Sequence, residues 1–483
     1  MRAVVIGAGL SGLAAALRLR RLGLTVTVCD NGERPGGKMN RWRAADFCLD
    51  TGPTLLTMPE VLRRLFHDLG EPLEQHLEIR RLDPHAEYVF PDGSRLAVPA
   101  SWEEWLKEIA SFAPADVQGL RRLHEVGRRI YLVSRETFFR NHPLAASRSP
   151  SWSTLRQLPL RYAWGNYARV VARLLRNERL RRVYLRYPTY VGSSPYLTPA
   201  TLLVIPFLEH HTGVWFVQGG MYRIVESLVG WAGHSGVQLR LGEQVVGIEH
   251  ERARVRAVRL ASGARLQTEV IVYTGDSASL PLLLGEPIRT RPATRSLSGL
   301  VVLLGFERKV AELHRHTVFF SEDYREEFED LFSRRRFPRD PTVYVHAPAE
   351  SECAPAGGQA LYLMANAPAD PAACWDEQSV REAVDRIFAR LERSGLAGLK
   401  QRAAVAEVWH PGRMAARFLA PGGAIYGDNS HGWRRAFLRP PNRARWPRGL
   451  YCAGGSYHPG GGIPMVLLSA EIVARLVQQD FQA

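Results

Sequence analysis

Residues 3–30 read AVVIGAGLSGLAAALRLRRLGLTVTVCD, and this stretch decides the fold. Ala3 to Ile6 has the length of a short buried strand, Ala and Leu then recur at helical spacing up to Gly23, and TVTVCD (25–30) alternates and is β-branched. Strand, turn, helix and strand in so short a span predict a βαβ unit. The turn is GAGLSG: Gly7 permits a tight bend, Gly9 lets backbone approach a pyrophosphate, and Gly12 allows close helix packing. Ala8 and Ser11 share that backbone surface, and the free N–H groups at the helix start would face phosphate charge. Asp30 ends the second strand 18 residues beyond Gly12, where a carboxylate would accept ribose hydroxyls. A dinucleotide site is expected.

The continuation selects which dinucleotide. A nicotinamide-binding chain normally runs from the acidic residue into a helix, whereas here NGERPGGKMNRWRAADFCLDTGPTLLT (31–57) follows. Its Gly36-Gly37 pair lies between Arg34 and Lys38, bringing more backbone donors and positive charge to the same pyrophosphate. This predicts FAD. A second glycine-rich stretch, LYCAGGSYHPGGGIPMVLLSAEIVARLV (450–477), reads as strand, loop and helix, with Pro464 at a first-turn position where a missing N–H costs least. Its loop leads into a helix start with donors free to face a polar acceptor, and the family resemblance that these motifs carry implies that it meets the reacting ring of FAD, through Gly454, Gly455, Gly462, Ile463, Pro464 and Met465, with the helix start stabilising negative charge on the flavin. Gly52 and Val245 complete the expected cofactor contacts.

Composition sets the bounds. A length of 483 residues suits two domains, and 46% hydrophobic with 23% charged residues excludes a disordered or fibrous chain. The five cysteines, Cys29, Cys48, Cys353, Cys374 and Cys452, are odd in number and never spaced C-x-x-C, which argues against a disulfide framework or a zinc site and for a reducing cytoplasm. His210-His211 and His314-x-His316 lack a third ligand at fixed spacing, so no metal is expected. The apolar start runs directly into a motif that must be retained, and no apolar run is long enough to span a bilayer; neither signal peptide nor transmembrane helix is expected.

The net charge of +15 is concentrated: residues 101–190 hold seventeen Lys and Arg against seven Asp and Glu. Within it, RVVARLLRNERLRRVYLRY (169–187) reads as one amphipathic basic helix able to lie on an anionic membrane surface or on a protein core. No module supports nucleic-acid binding. Residues 236–276 read as a meander of short strands followed by a return strand at 270–274. Further strands are expected at 300–306, 341–348 and 360–368, with a helix at 379–395.

With these motifs in place, the chain resembles the FAD-dependent carotenoid desaturase family, which is phytoene-desaturase-like and sits within the amine-oxidase-like flavoproteins. The resemblance rests on GAGLSGLAAALRLRRLG with Asp30, RPGGKM (34–39), LDTGPTLLT (49–57), GVWFVQGGMYRIVESL (213–228), HTVFFSEDYREEFEDLF (316–332), DPTVYVHAPA (340–349) and LYCAGGSYHPGGGIPMVLLSA (450–470). It implies an α/β fold: a Rossmann-type FAD-binding domain from residues 1–75, 214–290 and 420–483, interleaved with an α+β substrate and membrane-facing domain from 76–213 and 291–419.

The stretch 424–465, with Gly454-Gly455 and Pro464-Met465, is similar to the carotenoid 3,4-desaturases, which often use 1-hydroxylated acyclic ends, and to the diapocarotenoid terminal-methyl oxygenases. The resemblance implies desaturation of an acyclic carotenoid by hydride transfer to flavin. Alternatives are an aldehyde-forming methyl oxygenase, a phytoene desaturase, an amine oxidase, or a lipid-binding chaperone on the same fold. The implied partners are the carotenoid, the inner face of the cell membrane, and oxygen or a quinone as final electron acceptor. No motif assigns a catalytic base; His458, His431 and Asp428, together with His410 and Tyr426, are candidates by their nearness in sequence to the flavin loop.

Overall fold

Arg2–Ile6 (β1) is the central strand of a five-stranded sheet, flanked by Thr25–Asp30 (β2) and then Gln238–Leu241 (β3) on one side. On the other side lie Val270–Tyr273 (β4) and then Leu450–Cys452 (β5). All pairings are parallel, with Val4 opposite Thr27 and Ile271. The structure is a computed structural model that describes residues 1–143, 162, 165–288 and 290–481.

Strand alternation assigns the two faces of this sheet. Ala3, Val5, Val26, Val28, Val270 and Val272 pack against helix Leu10–Arg21 (α1) and the C-terminal helix Ile463–Phe481 (α2). Val4, Cys29, Ile271 and Tyr273 face a three-stranded antiparallel meander, Val245–Glu251, Arg254–Leu260 and Arg265–Gln267. The meander, expected from residue 236, begins only at Val245, because Gln238–Leu241 pairs with β2 in the parallel sheet; the return strand β4 lies where its sequence pattern places it. β1 and β5, from the two ends of the chain, thus share one sheet in which Val4, Val5, Leu450 and Cys452 are buried.

A second, seven-stranded mixed sheet has the order Val405–Trp409, Ser298–Phe306, Gln359–Ala367, Val343–His346, His316–Phe319, Ala86–Val89, Arg95–Val98. One of its faces, including Leu300, Val302, Val343, Val345 and Leu361, packs on Ile387, Phe388 and Leu391 of helix Glu377–Arg393. The alternate residues Val301, Val318, Tyr344, Tyr362 and Met364 face a large cavity. Helices Trp102–Phe112, Val117–Glu136 and Val204–Thr212 gather beside this sheet around Trp105, Leu120, Ile130 and Tyr187.

The expected basic helix over 169–187 is two helices, Tyr167–Leu174 and Glu178–Arg186. The break is built in: the Asp116 carboxylate accepts from the Arg176 and Asn177 N–H groups at 2.7 Å each, and Asn177 caps the second helix through Leu180 N–H. Side-chain capping of this kind outcompetes helix continuation. Val170, Val171, Leu175, Leu180, Val183 and Tyr184 are buried in the protein core, so this apolar stripe is not available to a membrane; Arg169, Arg173 and Arg176 are exposed. The parts of the basic block at 144–161 and 163–164 lie outside the described residues. No described helix is long and apolar enough to cross a membrane.

Candidate functional site

The carboxyl ends of β1 and β2 and the start of α1 meet at one end of the cavity. Gly7 has φ +110°, a conformation open to glycine, and a Cβ there would stand 2.3 Å from Thr274 Oγ1. A Cβ on Gly12 would stand 1.9 Å from the Gly7 carbonyl, so the helix can approach the turn only with glycine at this place. α1 begins at Gly9 without a side-chain cap and with no acidic residue in its first turn. Its first N–H groups are thus left for an anion. Gly36-Gly37 docks on this turn, Gly36 N–H donating to the Ala8 carbonyl at 2.8 Å.

Asp30 does two jobs of which the sequence suggests one. Its carboxylate accepts from Ala8 N–H and Gly32 N–H, both at 2.7 Å, and so braces the glycine turn against the following loop. It also lines the cavity, and a carboxylate with about four lone-pair sites keeps capacity for hydroxyls. Gly7, Gly9, Ser11, Gly36, Gly37, Lys38, Gly52 and Val245 line the same cavity; Ala8 and Gly12 lie just behind it. Arg34 does not line it: its side chain borders a separate small cleft with Arg41, Arg43 and Tyr222. These residues fit a dinucleotide: unclaimed N–H donors, close backbone approach and an acidic group one strand away.

The C-terminal loop enters the same cavity through Gly455, Gly460, Gly461, Gly462, Ile463, Pro464 and Met465. Gly454 sits behind, its N–H donating to Ser469 Oγ at 3.1 Å. The loop is held from beneath by Asn442, whose side-chain amide donates to the carbonyls of Cys452 (3.1 Å) and His458 (2.8 Å). Arg439 braces it too, donating to the carbonyls of Tyr426 (3.1 Å) and Gly455 (3.3 Å); burial lowers this guanidinium to about 10.

Four of the five proton-acceptor candidates lie off the cavity wall. His458 is fully buried and turned against Phe138 and His142, at 4.6 and 5.2 Å between rings, and burial drives its pKa down to about 3. His431 Nε2 accepts from Ser194 N–H at 3.0 Å, and burial lowers it likewise to about 3. Asp428 pairs with Arg295 at 3.1 Å, beside the fully buried Arg295–Asp276 pair at 2.7 Å. His410 precedes helix Pro411–Phe418 with its ring near Trp375. Tyr426 does line the cavity, and burial raises its hydroxyl to about 12. Among the described residues no group of three His, Cys, Asp or Glu side chains could hold a metal ion.

Lys38 reaches across the cavity to the carbonyls of Ala424 and Ile425, at 3.3 and 2.5 Å. Its side chain is accessible from the cavity that it lines, and desolvation by the surrounding walls lowers the ammonium to about 8, with Asp276 opposing. The cavity has a volume of about 1180 Å³, beyond the ~300–1,000 Å³ of an ordinary small-molecule site, so it has room for a second ligand beside a dinucleotide. That remaining space is walled by Met58, Phe139, Leu202, Ile205, Leu208, Val301, Val318, Tyr362, Met364 and Ile425.

Two polar groupings interrupt this apolar wall, and neither is apparent from sequence. The Tyr344 hydroxyl is 2.6 Å from Thr54 Oγ1 and 2.6 Å from His316 Nδ1. Arg186, Tyr190 and Glu209 also face the cavity. Arg186 closes a run of arginines in which Arg169, Arg173, Arg176 and Arg179 are exposed and Arg181 and Arg182 are half-buried on backbone carbonyls; the one local signal is Glu209, a lone acid inside the apolar stretch TLLVIPFLEHH (201–211).

A family model described as flavin containing amine oxidoreductase matches residues 10–478. The chain is 30% identical to 4,4'-diapolycopene oxygenase of Methylomonas sp over 499 residues, covering 100% of this chain and 99% of that protein. It is 34% identical to hydroxyneurosporene desaturase of Rubrivivax gelatinosus (98% and 92% covered) and 31% identical to 1-hydroxycarotenoid 3,4-desaturase of Flavobacterium sp. strain P99-3 (99% and 99%). Among solved structures, an oxidoreductase from Methanosarcina mazei superposes with a TM-score of 0.67 at 14% identity, over 98% of this chain and 100% of that one, a likeness of fold.

Proposed function

From the premise that the chain belongs to the flavin containing amine oxidoreductases, and is therefore an FAD-dependent oxidoreductase, we propose that it desaturates an acyclic carotenoid at C-3,4. The observation that carries this reading is one cavity walled at one end by both glycine-rich loops and elsewhere by apolar side chains. In support, the relatives named above as hydroxyneurosporene and 1-hydroxycarotenoid desaturases match essentially the whole chain.

In this reading the α1 start with Gly7, Gly9 and Ser11 holds the FAD pyrophosphate, Asp30 a ribose, Val245 the adenine side, and Gly455 with Gly462 to Met465 the ring. The cofactor portion is 1–75, 214–290 and 420–483, and the substrate portion 76–213 and 291–419. When bound, FAD supplies a two-electron acceptor for hydride from a substrate C–H bond. The protein's part is to orient the polyene along the apolar wall and exclude water. Loss of hydride leaves the adjacent C–H strongly acidic, so its proton passes to the Tyr344 oxygen as that hydroxyl gives its own proton to His316 Nδ1, even though burial makes this imidazole a weak base.

Peripheral attachment to the inner face of the cell membrane belongs to the same proposal. A carotenoid partitions into bilayers, and Arg169, Arg173 and Arg176 offer exposed positive charge. Oxygen or a quinone takes the electrons onward.

The test is expression in hosts that accumulate neurosporene, lycopene or their 1-hydroxylated forms, with product masses read. Loss of two hydrogens supports desaturation. Gain of oxygen at a terminal methyl supports the second reading, favoured by the match to 4,4'-diapolycopene oxygenase. Unchanged pigment in every host sinks both.

A further inference from the structure

We propose that Arg186, Tyr190 and Glu209 form a subsite for a hydroxyl group on the end of the substrate, placed beside the reacting bond. This rests on the carotenoid reading and deepens it by naming the substrate's end group.

The grouping is built for a polar ligand in an otherwise apolar wall. Arg186 Nη1 donates to the Tyr190 hydroxyl at 2.9 Å and lies near the Tyr88 hydroxyl at 3.4 Å. Its guanidinium also stands over the Tyr190, Tyr88 and Tyr344 rings at 5.0, 5.8 and 5.8 Å. Tyr190 and Tyr187 hydroxyls hydrogen-bond Glu209, which is 5% exposed. Protein encloses Arg186 on all sides, yet its side chain is partly accessible; that accessible part faces the cavity it lines.

An acid, a guanidinium and a phenol that face hydrocarbon forgo the water that would solvate them, at a cost that only further hydrogen bonds repay. A hydroxyl is suited to the place, since it donates to Glu209 and accepts from Arg186 or Tyr190. A hydrocarbon end would leave those groups facing apolar surface, which is the arrangement that rejects an analogue lacking the hydroxyl.

Position along the cavity agrees with this. The guanidinium contacts the Tyr344 ring, and the Tyr344 hydroxyl touches Thr54, next to the Gly52-Pro53 turn proposed to border FAD. A hydroxyl on C-1 is bonded two carbons from C-3, so when the 3,4 bond meets the flavin the hydroxyl must lie within a few bonds of it. A polar subsite near the ring therefore suits a 1-hydroxylated end and would be misplaced for a bond far along the chain.

The test compares two acyclic carotenoids that differ only in a C-1 hydroxyl. FAD-loaded wild type, Tyr190→Phe and Glu209→Gln are assayed for kcat/KM, and binding is followed by the carotenoid absorption shift. Wild type should favour the hydroxylated compound by about tenfold or more, and each variant should lower that ratio by about tenfold, the effect of one lost hydrogen bond to a charged or polar partner. Variants that slow both substrates equally, leaving the ratio intact, would show a merely structural role and overturn the proposal. So would equal wild-type binding of the two compounds. If wild type binds the hydroxylated compound more tightly but turns over neither, the subsite stands and the desaturase reading falls.

Discussion

The Tyr344 hydroxyl lies 2.6 Å from His316 Nδ1, joining a cavity-facing phenol to an imidazole that is 2% exposed. The His316 ring stacks on His346 at 5.0 Å, and burial lowers both histidines, His346 to about 3. A neutral imidazole can take the phenol's proton, but burial makes it a weak base, so the transfer needs the strongly acidic C–H that hydride loss leaves on the substrate. Tyr344→Phe keeps the ring and removes the relay, so kcat is expected to fall about 100-fold, within the ~10²–10⁴ range of general acid–base contributions, with KM little changed. A variant that turns over within twofold of wild type would remove Tyr344 from the chemistry.

Flavin retention tests the glycine turn without reference to turnover. Gly12→Val places a side chain 1.9 Å from the Gly7 carbonyl at its first atom, so the purified protein should carry no flavin absorbance. Asp30→Ala removes the acceptor for Ala8 and Gly32 N–H, and FAD affinity should fall by roughly 10- to 100-fold, as for loss of charged hydrogen bonds. Arg34, which lies off the cavity, should be replaceable by Ala with flavin content intact. Full flavin content in Asp30→Ala would contradict this placement.

Acid should destabilise the fold well above the carboxylate range. Burial lowers His85 and His124 to about 4, His431 and His458 to about 3 like His346, and it lowers His210 and His316 as well. Above about pH 6.5 these rings are neutral in both states and their contribution is complete. As pH falls below that, the unfolded chain takes up protons that the native state refuses until its lower pKa is reached. Stability then drops by up to about 1.4 kcal/mol per pH unit for each ring. Asp50, Glu209 and Glu327 are raised by burial, Glu327 to about 7, and run the other way. Seven groups outweigh three, so Tm should fall between about pH 7 and 5; a constant or rising Tm would count against it.

The membrane attachment proposed above is expected to be electrostatic, since the apolar stripe of 169–187 is spent on the protein core. Reversing Arg169, Arg173 and Arg176 to Glu should weaken flotation with anionic vesicles by about 100-fold, at ~1 kcal/mol for each basic residue, and added salt should do the same to wild type. Flotation that survives both changes would assign attachment to another surface.

Much of the cofactor end was legible because it is local. The glycine spacing of GAGLSG, the strand before it and Asp30 at the end of the strand after it lie within thirty residues, and each rule of turn and helix geometry acts over a few of them. The meander before β4 was legible for the same reason. The basic helix over 169–187 was misread as continuous because the acid that breaks it, Asp116, is about sixty residues away in sequence.

The sequence by itself determined that this chain builds a dinucleotide turn, a second glycine-rich loop and two alternating kinds of segment, since those follow from short-range spacing and composition. Only the tertiary structure decided which polar groups meet the cavity. His458 sits in the glycine loop yet is buried behind the cavity wall against Phe138 and His142, while Tyr344, Arg186 and Glu209, from three separate elements, converge on one wall. The physical reason is that a side chain's facing depends on what its strand or helix packs against. Alternation divides Tyr344 from Val345, but which of the two meets the cavity was settled by helix Glu377–Arg393 covering the opposite face.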